Sequence, residues 1–220
     1  MISEWLEEIQ DAKKREKDYR KDGKEILEIY SNEQFTPFNI LYSNTETLLP
    51  ALFSEVPRPI VKRRFNDEDP MGKAVSDAAT RILEYLIDTD VDDYDKYSDT
   101  MTAATLDGLL PGRGVTIVKY EEEDGWETVC TDSKKWDRVL FGYAHKWSKV
   151  PWVAYEEHLD REEATKLFGK KANKLRYIEG EENEEEENIK EENRNKGKRE
   201  TTLIYQIWDK SDKKIKYVSP

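Results

Sequence analysis

Between Leu109 and Val115 the hydrophobic pattern of this chain changes its period. Before that point apolar residues recur at helical spacing. After the breakers Pro111, Gly112 and Gly114, the residues Val115, Ile117 and Lys119 alternate with Thr116, Val118 and Tyr120 as the two faces of a strand do. The two periods place side chains on incompatible faces, so the switch divides the chain into a helical part and a strand-rich part. The expected fold is α+β, with N-terminal helices followed by a mainly antiparallel, hairpin-rich sheet region. The expected division is a helical region with an extended edge segment over residues 1–110 and a strand-rich region over residues 111–220.

The first 32 residues place Ile2, Trp5, Leu6, Ile9 and Ala12, and later Ile26, Leu27 and Tyr30, at helical spacing. They predict one amphipathic helix or two, with Gly23 as the natural break because glycine weakens a helix interior. Residues 36–53 (TPFNILYSNTETLLPALF) repeat the helical pattern through Leu41, Thr45, Leu48 and Leu52, and Pro50 should kink or end that helix. Residues 56–65 (VPRPIVKRRF) carry two prolines that remove backbone donors, so they should run as an extended edge segment. Lys62, Arg63 and Arg64 put charge on both faces of that segment, which asks for solvent on one face or for acidic groups on a neighbouring element, subunit or phosphate backbone. Asp69 and Pro70 form an N-cap and first-turn pair for a helix carrying Val75, Ala79, Ile82, Leu83 and Leu86.

Residues 88–99 (DTDVDDYDKYSD) resemble a calcium loop, with Asp88, Asp90, Asp92 and Asp99 at its first, third, fifth and twelfth positions. The fit fails where Asp93 stands in place of the glycine of the sharp turn, and Asp99 is shorter than the usual bidentate glutamate. The stretch reads instead as a connection whose aspartates cap a helix from about residue 91 to 110. Glycines 112 and 114 do not make a phosphate cradle, because a P-loop lies between a strand and a helix and this pair lies between a helix and a strand.

In the second half, residues 115–120 and 126–130 predict a hairpin, residues 136–141 (WDRVLF) and 150–158 (VPWVAYEEH) further strands, and residues 201–208 and 214–218 a final hairpin. Asp160 with Glu163 forms a capping box for a short helix ending at Gly169. The chain carries 36 Lys and Arg against 48 Asp and Glu, net -12. Nine acids and one lysine between residues 179 and 192 account for -8 of this, which leaves the rest at -4. So acidic a run cannot bury enough surface to offset its ordering entropy, so a disordered acidic insertion is expected at about residues 176–200.

The chemistry-bearing residues are few. The two histidines, His145 and His158, belong to no metal-ligand or nucleophile motif, and the single Cys130 can make neither an internal disulfide nor a cysteine-rich zinc site. No cofactor is expected, and a metal-dependent nuclease or hydrolase built on the aspartates of residues 88–99 is the weaker reading. No apolar run approaches the ~18 residues that cross a bilayer, and the start, MISEWLEE, is acidic where a secretory signal is basic and then apolar; the expectation is a cytoplasm-like compartment and no membrane partner. The six tryptophans, at positions 5, 126, 136, 147, 152 and 208, are large anchors of the kind found in cores and at subunit interfaces.

The block FNILYSNTETLLPALFSEVPRPIVKRRFNDEDPMGKA at residues 38–74 resembles the portal proteins of tailed bacteriophages, notably the large portals of short-tailed phages. The order continues through LLPGRGVTIVKY, WDRVLF, WSKVPWVAYEEHLDREEATKLFG and YQIWDKSDKKIKYV. The likeness covers residues 38–218 apart from the acidic insertion. It implies a non-enzymatic homo-oligomeric ring, usually a dodecamer, at one capsid vertex, through whose channel double-stranded DNA is packaged and ejected. It implies as partners the major capsid and scaffolding proteins, the terminase and the tail adaptor, and as locations the virion and, during assembly, the host cytoplasm. The segment corresponds to the outer, wing-side part, without long stem helices, clip or C-terminal crown. A head-to-tail connector or another ring-forming virion protein is the alternative.

On this resemblance Asn39, Asn44, Pro50, Pro57, Pro59, Gly112, Gly114, Trp136, Trp152 and Trp208 are structural positions of the family pattern. Rings close when one face of a subunit meets a different face of the next. Lys62, Arg63 and Arg64 on one side and Asp90, Asp92 and Asp93 on the other are the candidate faces. The near-balanced charge outside the insertion suits DNA that slides rather than DNA that is gripped.

Overall fold

The computed structural model describes residues 2–31, 39–63, 70–88, 96–123, 126–179 and 200–220. Among them are six α-helices and two antiparallel sheets, the α+β fold expected from the switch in period. The chain divides into two compact units, residues 1–17 with 138–220, and residues 18–137. This differs from the expected boundary at 110/111. The N-terminal helix belongs with the C-terminal sheet, and the first hairpin belongs with the helices, pairings that no local pattern specifies.

The first unit is a sheet covered on both faces. It comprises α1 (Ile2–Arg15), β3 (Val139–Phe141), β4 (Trp152–Leu159), α6 (Arg161–Phe168), β5 (Ile178–Glu179), β6 (Glu200–Asp209) and β7 (Lys214–Val218). The strands run in the order β3, β4, β6, β5, with β7 also paired to β6. Period-two alternation sorts their side chains. Trp152 and Ala154 of β4, Tyr205 and Ile207 of β6 and Val218 of β7 pack with Leu140 against Ile9 and Ala12 of α1. Ile204, with Leu159 at the end of β4, packs against Ala164 of α6 and Ala172 in the 3₁₀ turn that follows. The final hairpin, β6 and β7, is part of this sheet. Residues 136–141 do not form one strand, since Trp136–Arg138 is a 3₁₀ turn and only Val139–Phe141 pairs with β4.

Two polar pairs fasten α1 and the last hairpin. Lys13 Nζ lies 2.6 Å from Glu156 Oε1 and donates to the Tyr205 hydroxyl at 2.9 Å. Burial pulls this ammonium down, but both partners outweigh it and hold its pKa above the ordinary value. In the β6–β7 turn Asp209 accepts from Lys216 Nζ at 2.5 Å and from the Ser211 hydroxyl at 2.6 Å. Those bonds, Lys216 first, draw its pKa down to about 2. The capping box is present: Asp160 Oδ1 accepts from the amides of Glu162 and Glu163, Glu163 accepts from the Asp160 amide, and Gly169 ends α6 at φ 56°. Of the expected acidic insertion, residues 176–179 and 200 are described, and Ile178 and Glu179 pair with Thr201 and Glu200. Residues 180–199 lie outside the described residues.

The second unit comprises α2 (Lys17–Ser31), α3 (Ile40–Leu52), α4 (Pro70–Asp88), α5 (Tyr97–Leu109), β1 (Val115–Glu123) and β2 (Trp126–Lys134). The predicted break at Gly23 is wrong: the helix boundary falls at Glu16, and Gly23 is buried in the middle of α2. The glycine serves close packing, because a Cβ there would stand 2.4 Å from Cη2 of Trp136. Pro50 lies in the last turn of α3, which ends at Leu52. Asn39 caps α3 by accepting from the Tyr42 amide and donates to the Ile29 carbonyl at 2.7 Å. Tyr30 donates to Glu46 at 2.6 Å, and burial together with this bond pushes the phenol up to about 12. Of the expected extended edge segment over residues 56–65, residues 56–63 are described, and they pair with no strand among the described residues. Residues 54–63 run outside helices and strands, with the Val61 amide donating to Thr80 Oγ1 of α4. The residue at the N-cap of α5 is Lys96, which makes no side-chain cap bond, and the aspartates expected to cap that helix, Asp90, Asp92, Asp93 and Asp95, lie outside the described residues. Asp69 and residues 89–95 lie outside the described residues.

β1 and β2 pair along their whole length, from Val115 with Lys134 to Glu123 with Trp126, and α5 packs on both. The two glycines before β1 have separate jobs. Gly112 sits at φ 86°, a region that side chains with a Cβ rarely enter. At Gly114 a Cβ would fall 1.9 Å from the carbonyl oxygen of Ala104, so the backbones of α5 and the start of β1 approach too closely for any other residue.

Candidate subunit interface

The second unit buries little of its apolar surface. Among the described residues its buried apolar side chains are Leu110, Cys130 and Trp136. Trp136, 3% exposed, is the anchor. Its ring meets Tyr19 edge-on at a centroid distance of 5.5 Å and lies against Gly23, while its amide donates to Asp107 Oδ2 at 3.1 Å. Arg113 stacks over Tyr19 at 4.6 Å and donates to the Trp136 carbonyl.

The helix predicted over α4 is present, and the apolar residues at its helical spacing lie largely open. Val75 is 66% exposed, Ile82 59% and Leu83 40%, with Met71 and Tyr85 also exposed. On α3, Ile40, Tyr42, Leu48 and Leu52 are exposed as well, and Thr45 is its buried residue. Between the two helices in sequence lies Ile60, 74% exposed. Apolar residues scattered singly over a surface need no explanation, but a stripe at helical spacing that lies open is a candidate interaction surface.

The charged residues assigned to an interface separate into three groups. Lys62 is exposed. Arg63 is half-buried and lies across α4, where a Cβ on Gly72 would come within 2.2 Å of its guanidinium. Arg64, Asp90, Asp92 and Asp93 lie outside the described residues. Of the family-pattern positions, Asn39 is a cap, Asn44 is exposed on α3, and Pro50 ends that helix. Pro57 and Pro59 lie in the unpaired segment, and Gly112 and Gly114 shape the turn into β1. Trp136 and Trp152 are buried, whereas Trp208 is 41% exposed on β6.

In the first unit His158, on β4, has its pKa lowered by burial and then by Arg138, and His145 is exposed beside the ring of Tyr143. Cys130 is buried on β2. Among the described residues no group of three or more His, Cys, Asp or Glu is placed to hold a metal ion, and no helix is long and apolar enough to cross a membrane. The exposed α4 stripe was visible in the sequence as amphipathicity, but the pattern says that a face seeks cover without saying what covers it. No protein-family model matches the chain, and no curated protein matches it.

Proposed function

We propose that this chain is a structural subunit of a ring, the wing-side part of a tailed-phage portal, and that it works by docking copies of itself around a channel for double-stranded DNA. The observation that carries the proposal is the open apolar stripe of α4, Val75, Ile82 and Leu83. A chain with 38% charged residues, against ~25% in an ordinary soluble domain, has few apolar side chains to spare for solvent. Covering such a stripe with a neighbouring copy removes it from water at ~25 cal/mol per Å². The resemblance over residues 38–218 supplies the particular role. In that role further partners are the capsid and scaffolding proteins, the terminase and the tail adaptor, and the place of action is the portal vertex of the virion. Electron microscopy of the purified chain tests the reading: rings with a central hole are expected, and isolated particles under capsid-assembly conditions would overturn it.

A further inference from the structure

The first unit carries an open groove of about 510 Å³, within the ~300–1,000 Å³ typical of binding clefts. Its base is aromatic. Trp5 of α1 meets Trp152 of β4 edge to face at 6.0 Å, and the exposed ring of Tyr143 forms a wall, held by the Arg15 guanidinium 5.9 Å away. Arg15 is itself fixed by donating to the Phe141 carbonyl at 2.8 Å. Glu4 and Glu8, one turn apart on α1, line the same groove and give it a carboxylate side. Gly142 keeps the groove in shape, since a Cβ there would strike Pro151 at 2.6 Å and Trp152 at 2.8 Å.

Aromatic walls beside carboxylates fit one kind of segment well: a proline-containing, basic, extended one. Prolines enter such a site already ordered, so little chain entropy is lost on docking, and their rings pack on aromatic faces. This chain displays such a segment. Pro57, Arg58 and Ile60 are exposed, the stretch belongs to no strand among the described residues, and Val61 and Arg63 lie against α4. With three residues per turn in a polyproline helix, Pro57, Arg58 and Pro59 point to three different sides. The prolines can therefore address the aromatic base while Arg58 turns to the carboxylate side.

We infer that the groove formed by Trp5, Trp152, Tyr143 and Glu8 receives residues 57–60 of a second copy of this chain, a head-to-tail contact of the kind that closes rings. The inference rests on the ring reading for its biological sense, and it is a contact separate from the expected pairing of Lys62 to Arg64 with the aspartates of residues 90–93.

The test has two arms. A peptide of sequence VPRPIVKR, residues 56–63, is titrated into the full chain while tryptophan fluorescence is followed. Saturable binding is expected, weakened at least tenfold by Glu8→Arg in the protein or by Arg58→Glu in the peptide, and recovered when the two are combined. No binding, or binding indifferent to both changes, overturns the inference. In the second arm the mass of the full-length variants is measured by native mass spectrometry. Smaller assemblies with either single change and recovery with both support the contact. Rings that form equally well with either change overturn it and leave the ring reading standing, whereas a monomeric chain that still binds the peptide keeps the groove assignment and removes the ring.

Discussion

Trp136 lies so close to Gly23 that a single added methyl on the glycine would penetrate the indole, with 2.4 Å to Cη2 and 2.7 Å to Cζ3. Two effects oppose each other in Gly23→Ala. Replacing a mid-helix glycine favours the helix by ~1 kcal/mol, and overpacking against a buried ring costs ~1–3 kcal/mol. The ring is buried and held edge-on to Tyr19, so the second effect wins. The expected result is a net loss of stability in urea unfolding; a gain would show that Trp136 can swing away.

Gly114→Ala is expected to cost more than Gly112→Ala. At Gly114 the obstacle is the Ala104 carbonyl, 1.9 Å from the new Cβ, and backbone cannot step aside as a side chain can. At Gly112 there is open space, and the penalty is only that of φ 86°, ~1–2 kcal/mol for an ordinary residue. Unfolding midpoints of the two variants decide the order, and equal losses would contradict the close approach of α5 and β1.

Asp209 should leave a signature in acid. Its carboxyl has a pKa of about 2 in the fold because Lys216 and Ser211 donate to it, against ~3.9 in the unfolded chain. The unfolded state therefore binds the proton more readily, so the stabilisation is fully present above pH ~4 and is lost as the pH falls through about 2. Asp209→Asn should flatten the stability profile over that window and leave the slope above it unchanged. An unaltered slope would mean that the carboxylate is not engaged by Lys216.

The α4 stripe gives two opposite expectations for one variant. If Val75 and Ile82 face solvent in the single chain, Val75→Ser with Ile82→Ser changes its stability by no more than ~0.5 kcal/mol per site. Were they core residues, the loss would be several-fold larger. The same double variant is expected to weaken association, read from sedimentation velocity.

What could be read from the sequence was what is local. The β1–β2 and β6–β7 hairpins, the Asp160 and Glu163 capping box and the Gly169 stop each depend on residues a few positions apart, and all are present. The misreadings concern distant partners. Gly23 looked like a helix break because nothing near it in sequence announces Trp136. The N-terminal helix looked like part of a helical domain because its cover, Leu140, Ala154 and Ile207, lies far along the chain. Residues 56–63 were legible only as extended, because proline-rich and β patterns share an extended backbone and only a partner distinguishes them. The groove was missed for the same reason: Trp5 and Trp152 were seen as separate anchors, not as neighbours, and Tyr143 carried no signal of its own.

The most direct measurement is the mass of the purified chain in solution across a wide range of concentration, wild type beside the Val75 and Ile82 double variant. A discrete multimer that dissociates when the stripe is made polar is the predicted result. A wild-type chain that stays monomeric at every concentration, with the double variant indistinguishable from it, would contradict the claim that this surface exists to meet another copy.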